Sequence, residues 1–172
     1  MLGESLSEGW MTLVFKPIHV EQDFAQCVAF RRDAYVCSFQ SLTGFEHFLS
    51  GYRERIVARI NHPCWFYRHI WLEGEIIGQL EFRTYCEIDD VDEHTGYVNL
   101  IYLKAEYRGQ GLAGKLQDYI ANELIAAGCQ RCLLSVSRTN QRALRHYQRF
   151  GWHYLKPNPK HAMTDFYQRV LS

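Results

Sequence analysis

The 172-residue sequence lacks an excess of either charge: Lys plus Arg and Asp plus Glu each total 19. A chain that takes nucleic acid as its main partner ordinarily carries a basic surplus for the phosphates, so no nucleic-acid partner is expected. No apolar run approaches the ~18 residues that a membrane helix needs, which excludes a membrane-spanning reading. Residues 1–8 hold no basic stretch followed by an apolar one, so no secretory signal is read and a cytoplasmic location is expected. Repeats, low-complexity tracts and Pro/Gly/Ser-rich linkers are also missing. What is present is an ordinary globular composition, 47% hydrophobic and 22% charged. The length suits one domain with a real core. A single domain over residues 1–172 is expected, with 1–11 as a flexible N-terminal extension.

Six cysteines are scattered through apolar patterns, at 27, 37, 64, 86, 129 and 132. Cys129 and Cys132 form a C-x-x-C, but no second ligand pair stands at zinc spacing. No metal is expected, and the thiols read as small buried hydrophobes.

Periodicity orders the chain. Residues 12–18 read as a strand ending near Pro17. Asp23 can cap a helix to about residue 38, with Phe24, Cys27, Val28, Tyr35 and Val36 at helical spacing. Residues 41–60 read as a second helix, stopped by Asn61-His62-Pro63. Residues 65–72 and 76–85 are rich in β-branched and aromatic residues around Glu73-Gly74-Glu75, which signals a hairpin. Residues 87–95 are an acidic loop, and 97–103 a continuous apolar strand. Residues 112–127 form a strongly amphipathic helix that Gly128 closes. A strand at 131–136, a helix at 140–150 and strands at 152–155 and 162–170 follow. The strand–helix–strand unit over 97–136 implies parallel pairing, and the hairpins imply antiparallel pairing elsewhere. The expected fold class is therefore α/β, a mixed sheet with helices on its faces.

The segment Tyr107-Arg108-Gly109-Gln110-Gly111-Leu112-Ala113-Gly114-Lys115 lies between a buried strand and a helix. Glycines let the backbone turn tightly and bring its N–H groups close to a ligand. The first helical turn adds unpaired N–H groups and a positive dipole end, so the segment can hold a diphosphate. A tight connection without ligand would use the same residues. The spacing of Gly109, Gly111 and Gly114 also matches a dinucleotide fingerprint. Yet that reading needs an acidic residue about 20 positions on, at the end of the next strand, and Ser135, Ser137 and Arg138 stand there instead. Downstream, Asn140, Ala143, Tyr147 and Phe150 share one helical face, which serves equally to pack a helix on a sheet.

The run from Tyr97 to Gly114 resembles the coenzyme A-binding motif of the GNAT superfamily of N-acetyltransferases. Arg108, Gly111 and Ala113 fill its Arg/Gln-x-x-Gly-x-Gly/Ala pattern. Residues 140–152 are similar to the next motif of that family, with its asparagine, alanine, tyrosine and closing Gly151-Trp152. The resemblance implies a GNAT fold of six to seven strands and about four helices, with strands four and five splayed to admit the pantetheine arm. It implies acetyl-coenzyme A as cosubstrate and a primary amine of a small molecule or peptide as acceptor. Backbone groups of Gly109, Gln110, Gly111, Leu112, Ala113 and Gly114, with Arg108 beside them, should hold the pyrophosphate. The Leu103 N–H should bind the thioester carbonyl or pantetheine, and Asn140 should lie beside that arm. Tyr147 should act as general acid to the leaving thiolate. The resemblance also allows a homodimer, which the residues themselves do not specify.

The sequence departs from the family in its base. Many members carry a carboxylate on strand four, and residues 97–103 contain no Asp or Glu. Glu81 on the neighbouring strand is the first candidate, unless it merely faces solvent. Glu93, His94 or a chain of waters come next. The acidic loop Glu87, Asp89, Asp90, Asp92 and Glu93 could draw a cationic amine toward the site or simply be solvated. A catalytically silent acyl-coenzyme A sensor is the alternative to an enzyme, and a nucleotide binder is the third reading.

Overall fold

The computed structural model describes residues 12–171, so the expected N-terminal extension lies outside the described residues. Seven strands form one sheet in the order β1-β2-β3-β4-β5-β7-β6. They are β1 (Val14–Pro17), β2 (Trp65–Leu72), β3 (Glu75–Arg83), β4 (Thr95–Leu103), β5 (Arg131–Ser137), β6 (His153–Pro157) and β7 (Thr164–Val170). Only β4 and β5 pair in parallel, joined by the crossover helix α4 (Ala113–Ala126). This is the mixed sheet that the sequence predicts.

The β2–β3 hairpin turns through Glu73 and Gly74 at φ 50° and 82°, the left-handed pair that a two-residue turn needs. The N-terminal helices differ from expectation. Helix α1 (Val20–Phe39) starts three residues before Asp23, on His19, and Asp23 lies in its first turn. The predicted helix at 41–60 is two helices, α2 (Phe45–Leu49) and α3 (Tyr52–Arg59). Gly51 at φ 77° sits between them. A single left-handed residue redirects the axis, and the apolar period continues on both sides of it.

Two faces of the sheet carry separate cores. On one, α4 buries Leu116, Ile120 and Leu124 against Leu80, Phe82, Val98 and Leu134. Helix α5 (Gln141–Arg149) joins that face through Ala143, Leu144 and Tyr147. On the other, α1 and α3 bury Cys27, Tyr52 and Ile56 against Trp65 and Tyr67, and Phe30 meets Leu100 and Tyr102. All six cysteines are free. Cys129 donates to the Thr84 carbonyl at 3.3 Å, and Cys132 is fully buried, as the structural reading of the C-x-x-C expects.

The second face also holds a polar chain. Nε2 of His69 lies 2.9 Å from Oε1 of Gln79 and 3.6 Å from the Cys27 thiol, while its Nδ1 is buried without a partner among the described residues. Burial holds the His69 pKa below its ordinary 6.5, and the Gln79 bond only partly opposes this. The folded state therefore binds fewer protons than the unfolded chain below that pH. Stability is fully present above the ordinary value and declines as pH falls through the window beneath it. His146, lowered by burial and then by Arg149, acts with the same sign. A His69→Gln variant should show a shallower loss of urea midpoint between about pH 6.5 and 5 than the natural chain. Parallel curves would assign the acid limb to other groups.

Candidate acyl-transfer site

Strand β4 pairs with β5 only from Thr95↔Arg131 to Val98↔Leu134. Beyond that point both strands continue without each other. The cause is visible on the opposite edge of β4. Glu81 faces Leu100 while Phe82 faces Val98, so Asn99 is an extra residue in the ladder. Such a bulge bends its strand and raises its twist, which carries β4 away from β5. The splay predicted for strands four and five is thus present.

The gap is part of a cavity of about 970 Å³ whose lining comes from both faces of the sheet. Val98–Leu103 of β4 and Leu134–Ser137 of β5 form its edges. Arg108, Gly109, Gly111, Ala113 and Gly114 lie at its α4 end. Asn140, Ala143 and Tyr147 line it from α5, and Arg31, Tyr35 and Phe39 from α1.

Each predicted cofactor residue has a definite place. Lys104 donates its N–H to Ile77 on β3. Backbone groups alternate along a strand, so the Leu103 N–H points the other way, into the gap that β5 leaves. Gly109 and Gly111 take φ 74° and 78°, and an added Cβ would meet nothing within 4 Å at either. Conformation, not crowding, requires glycine there, and both residues line the cavity. Gly114 approaches Phe150 of the α5 end, where a Cβ would lie 3.4 Å from the ring. Leu112 is buried in the core, and the Gln110 side chain turns outward to the Glu106 carbonyl at 2.6 Å. These two could contribute backbone alone. The Arg108 side chain folds back: Nε donates to the Leu103 carbonyl at 2.8 Å and Nη2 meets Asp33 at 3.1 Å. It braces the end of β4. Asn140 caps α5, accepting the Ala143 N–H at 3.2 Å, and no hydrogen bond engages its Nδ2 among the described residues.

Tyr147 is half-buried in the cavity wall beside Trp152, and burial pushes its phenol up to about 12. No hydrogen bond engages its hydroxyl among the described residues.

Glu81 stands apart from this assembly. The solvent-facing alternative is overturned, since the residue is 1% exposed. Its carboxylate accepts from Tyr52 and Gln79, each at 2.6 Å, and from two nitrogens of Arg31. It does not line the cavity, and its acceptor positions are occupied. Glu93 and His94 are exposed, at the end of β4 where β4 and β5 still pair. The acidic loop lies at that same end, with Asp92 bonded to Thr95 and Arg131. None of its residues lines the cavity. Arg31 and the Asn99 bulge were not singled out from the sequence. The i, i+3, i+4, i+7 spacing of Arg31, Ala34, Tyr35 and Ser38 could have marked the first.

Residues 26–152 match the profile of the Acetyltransferase (GNAT) family, and the chain belongs to that family. The fold is similar to that of the PaiA N-acetyltransferase of Thermoplasma acidophilum, solved with coenzyme A, at a TM-score of 0.71 and 15% identity over 92% of this chain and 99% of that one. It is also similar to an aminoglycoside acetyltransferase solved with coenzyme A and kanamycin, at 0.68 and 16% over 92% and 95%. An acetyltransferase from Thermus thermophilus gives 0.63 and 18% over 93% and 97%. At these identities the likeness is one of fold. Acyl transfer with coenzyme A is the chemistry that family and fold together support. No helix among the described residues is long and apolar enough to cross a membrane.

Proposed function

We propose that the protein transfers the acetyl group of acetyl-coenzyme A to a primary amine of a small molecule or peptide, by direct attack in a ternary complex in the cytoplasm. The observation that carries this reading is the β4–β5 gap, which joins the glycine turn at one end to Tyr147 and the α1 wall at the other. The pyrophosphate would rest on the N–H groups of residues 109–114 and the start of α4. The amine nitrogen attacks the thioester carbonyl carbon. As the C–N bond forms, negative charge grows on the oxygen, where the Leu103 N–H would oppose it. The C–S bond then breaks, sulfur leaves with its electron pair, and Tyr147 donates toward it. The amine gives up one proton, so the products are an acetamide and the coenzyme A thiol. Among the described residues no carboxylate lines the cavity and several arginines do. That field favours an acceptor that enters as the neutral amine and needs only water to take its proton.

The sequestered state of Glu81 favours one other reading, a silent acyl-coenzyme A binder. Calorimetry and thiol release separate the two. The natural chain should bind acetyl-coenzyme A and release thiol when a suitable amine is added. Gly111→Glu should abolish binding, because it puts bulk and negative charge where the pyrophosphate would lie. The open space around Gly111 lets the variant fold, at a strain of about 1–2 kcal/mol for the left-handed backbone. Binding without thiol release from any amine would favour the silent binder. No binding at millimolar cofactor would end the acyl-transfer reading.

A further inference from the structure

The gap connects two chemically different walls. The α4 and α5 side holds the glycine turn and a row of arginines, 142, 145 and 149. The α1 and α2 side is left for the acceptor. There α1 presents Arg31, Ala34, Tyr35 and Ser38 along one face, and α2 adds Phe48. Phe39, at the end of α1, stacks on His161 of the β6–β7 turn at 5.0 Å between ring centroids, closing this wall.

Two facts restrict what fits. First, among the described residues none that lines the cavity is Asp or Glu. Three carboxylates bonded to or beside lining residues are engaged: Glu81 by Arg31, Asp33 through Oδ2 by Tyr102 and Arg108, and Asp165 by Arg138. A polycationic acceptor would lose its water shell here and gain at most the already paired Asp33 in return, a costly exchange. Second, Arg31 is fixed but not exhausted. Its Nε and Nη2 hold Glu81 side-on, and its plane lies 4.8 Å from the Phe48 ring centroid. Among the described residues no hydrogen bond engages Nη1, which with the second Nη2 hydrogen forms an outer edge on a side chain that is 16% exposed and lines the cavity. A guanidinium edge held in this way is prepared for a planar anion.

We propose, resting on the acetyl-transfer reading above, that the acceptor is an amino carboxylate with an apolar or aromatic body, such as a hydrophobic α-amino acid. Its carboxylate pairs with the outer edge of Arg31, and its body lies against Phe39 and Phe48. Its amine faces the thioester at the Leu103 end of the gap. Polyamines and aminoglycosides are excluded, and the acidic loop plays no part in recruitment.

The test uses the full chain with acetyl-coenzyme A and follows thiol release. The panel is phenylalanine, leucine, phenylalaninamide, spermidine and kanamycin. Phenylalanine and leucine should react, and the polycations should not. With KM expressed as concentration of neutral amine, the amide should show a value about tenfold above that of its acid, the effect of losing one charge-assisted pair. Arg31→Lys keeps a cation beside Glu81, so the fold survives, but it loses the planar edge. It should raise KM for phenylalanine about tenfold and leave the amide unchanged, removing the preference. The acid–amide comparison on the natural chain needs no variant at all. Preference for spermidine or kanamycin, or equal use of acid and amide, would overturn the assignment. If acetyl-coenzyme A binds in calorimetry but no panel member reacts, the acceptor assignment falls alone. If the cofactor itself does not bind, the acetyl-transfer reading falls and takes this one with it.

Discussion

Replacing Tyr147 by Phe should lower kcat about 10²-fold while leaving acetyl-coenzyme A binding and stability nearly unchanged. A positioned general acid contributes about 10²–10⁴, and catalysis is best when its pKa is near that of the group it protonates. Tyr147 is poorly matched. Burial holds its phenol near 12, while an ordinary thiol titrates near 8.5. Full proton transfer to the thiolate would therefore be uphill, and in the proposed mechanism the hydroxyl would act chiefly as a hydrogen-bond donor to developing charge. That places the expected effect at the low end of the range. The same value means that Tyr147 stays protonated until pH approaches 12, so a loss of rate at lower alkaline pH comes from another group. The ring contacts with His146 and Trp152 survive the substitution, which is why the fold should tolerate it. Steady-state kinetics with an accepted amine decides the matter. A kcat within about twofold of the natural chain would assign the work to positioning and water.

Glu81→Gln should cost about 3–5 kcal/mol of stability, the usual consequence of removing one partner from a buried pair. Glu81 is 1% exposed and receives donors from Arg31, Tyr52 and Gln79. An amide in its place leaves the Arg31 charge without a partner and points an N–H₂ group at other donors. Burial, then the Glu81 charge, pushes the Tyr52 phenol well above its usual range, so Tyr52 remains a donor throughout. For a chain of this size the loss corresponds to a fall in Tm of about 6–20 °C. The double variant Arg31→Gln/Glu81→Gln should be more stable than Glu81→Gln alone, because it leaves no unpaired charge. Thermal unfolding of the three proteins measures this. A Glu81→Gln chain that keeps its Tm and loses only kcat would restore Glu81 as the general base.

The strand over 97–103, the glycine turn and α4 were legible because each rests on local signals: an apolar run, left-handed glycines and a helical stripe. The same holds for the β2–β3 hairpin and for the shared face of Asn140, Ala143 and Tyr147 on α5. The break at Gly51 escaped because the apolar period runs through it. Glu81 shows the limit most clearly. Alternation along β3 places it on a face, but whether that face meets water depends on α1 and α3, 50 and 29 residues away in its bonds to Arg31 and Tyr52. No local pattern reports such a partner.

The sequence by itself thus determined the order of the strands and of the two later helices, the glycine turn and the family to which its motifs belong, since these depend on neighbours within a few turns of chain. Tertiary structure alone decided where β4 parts from β5, because a one-residue bulge at Asn99 has meaning only against the register of β3. It also decided that, among the described residues, the cavity is lined by arginines and aromatics and by no carboxylate. Charge pairing between distant elements settles which ionised groups reach a ligand, and that pairing exists only once the sheet and both layers of helices are assembled.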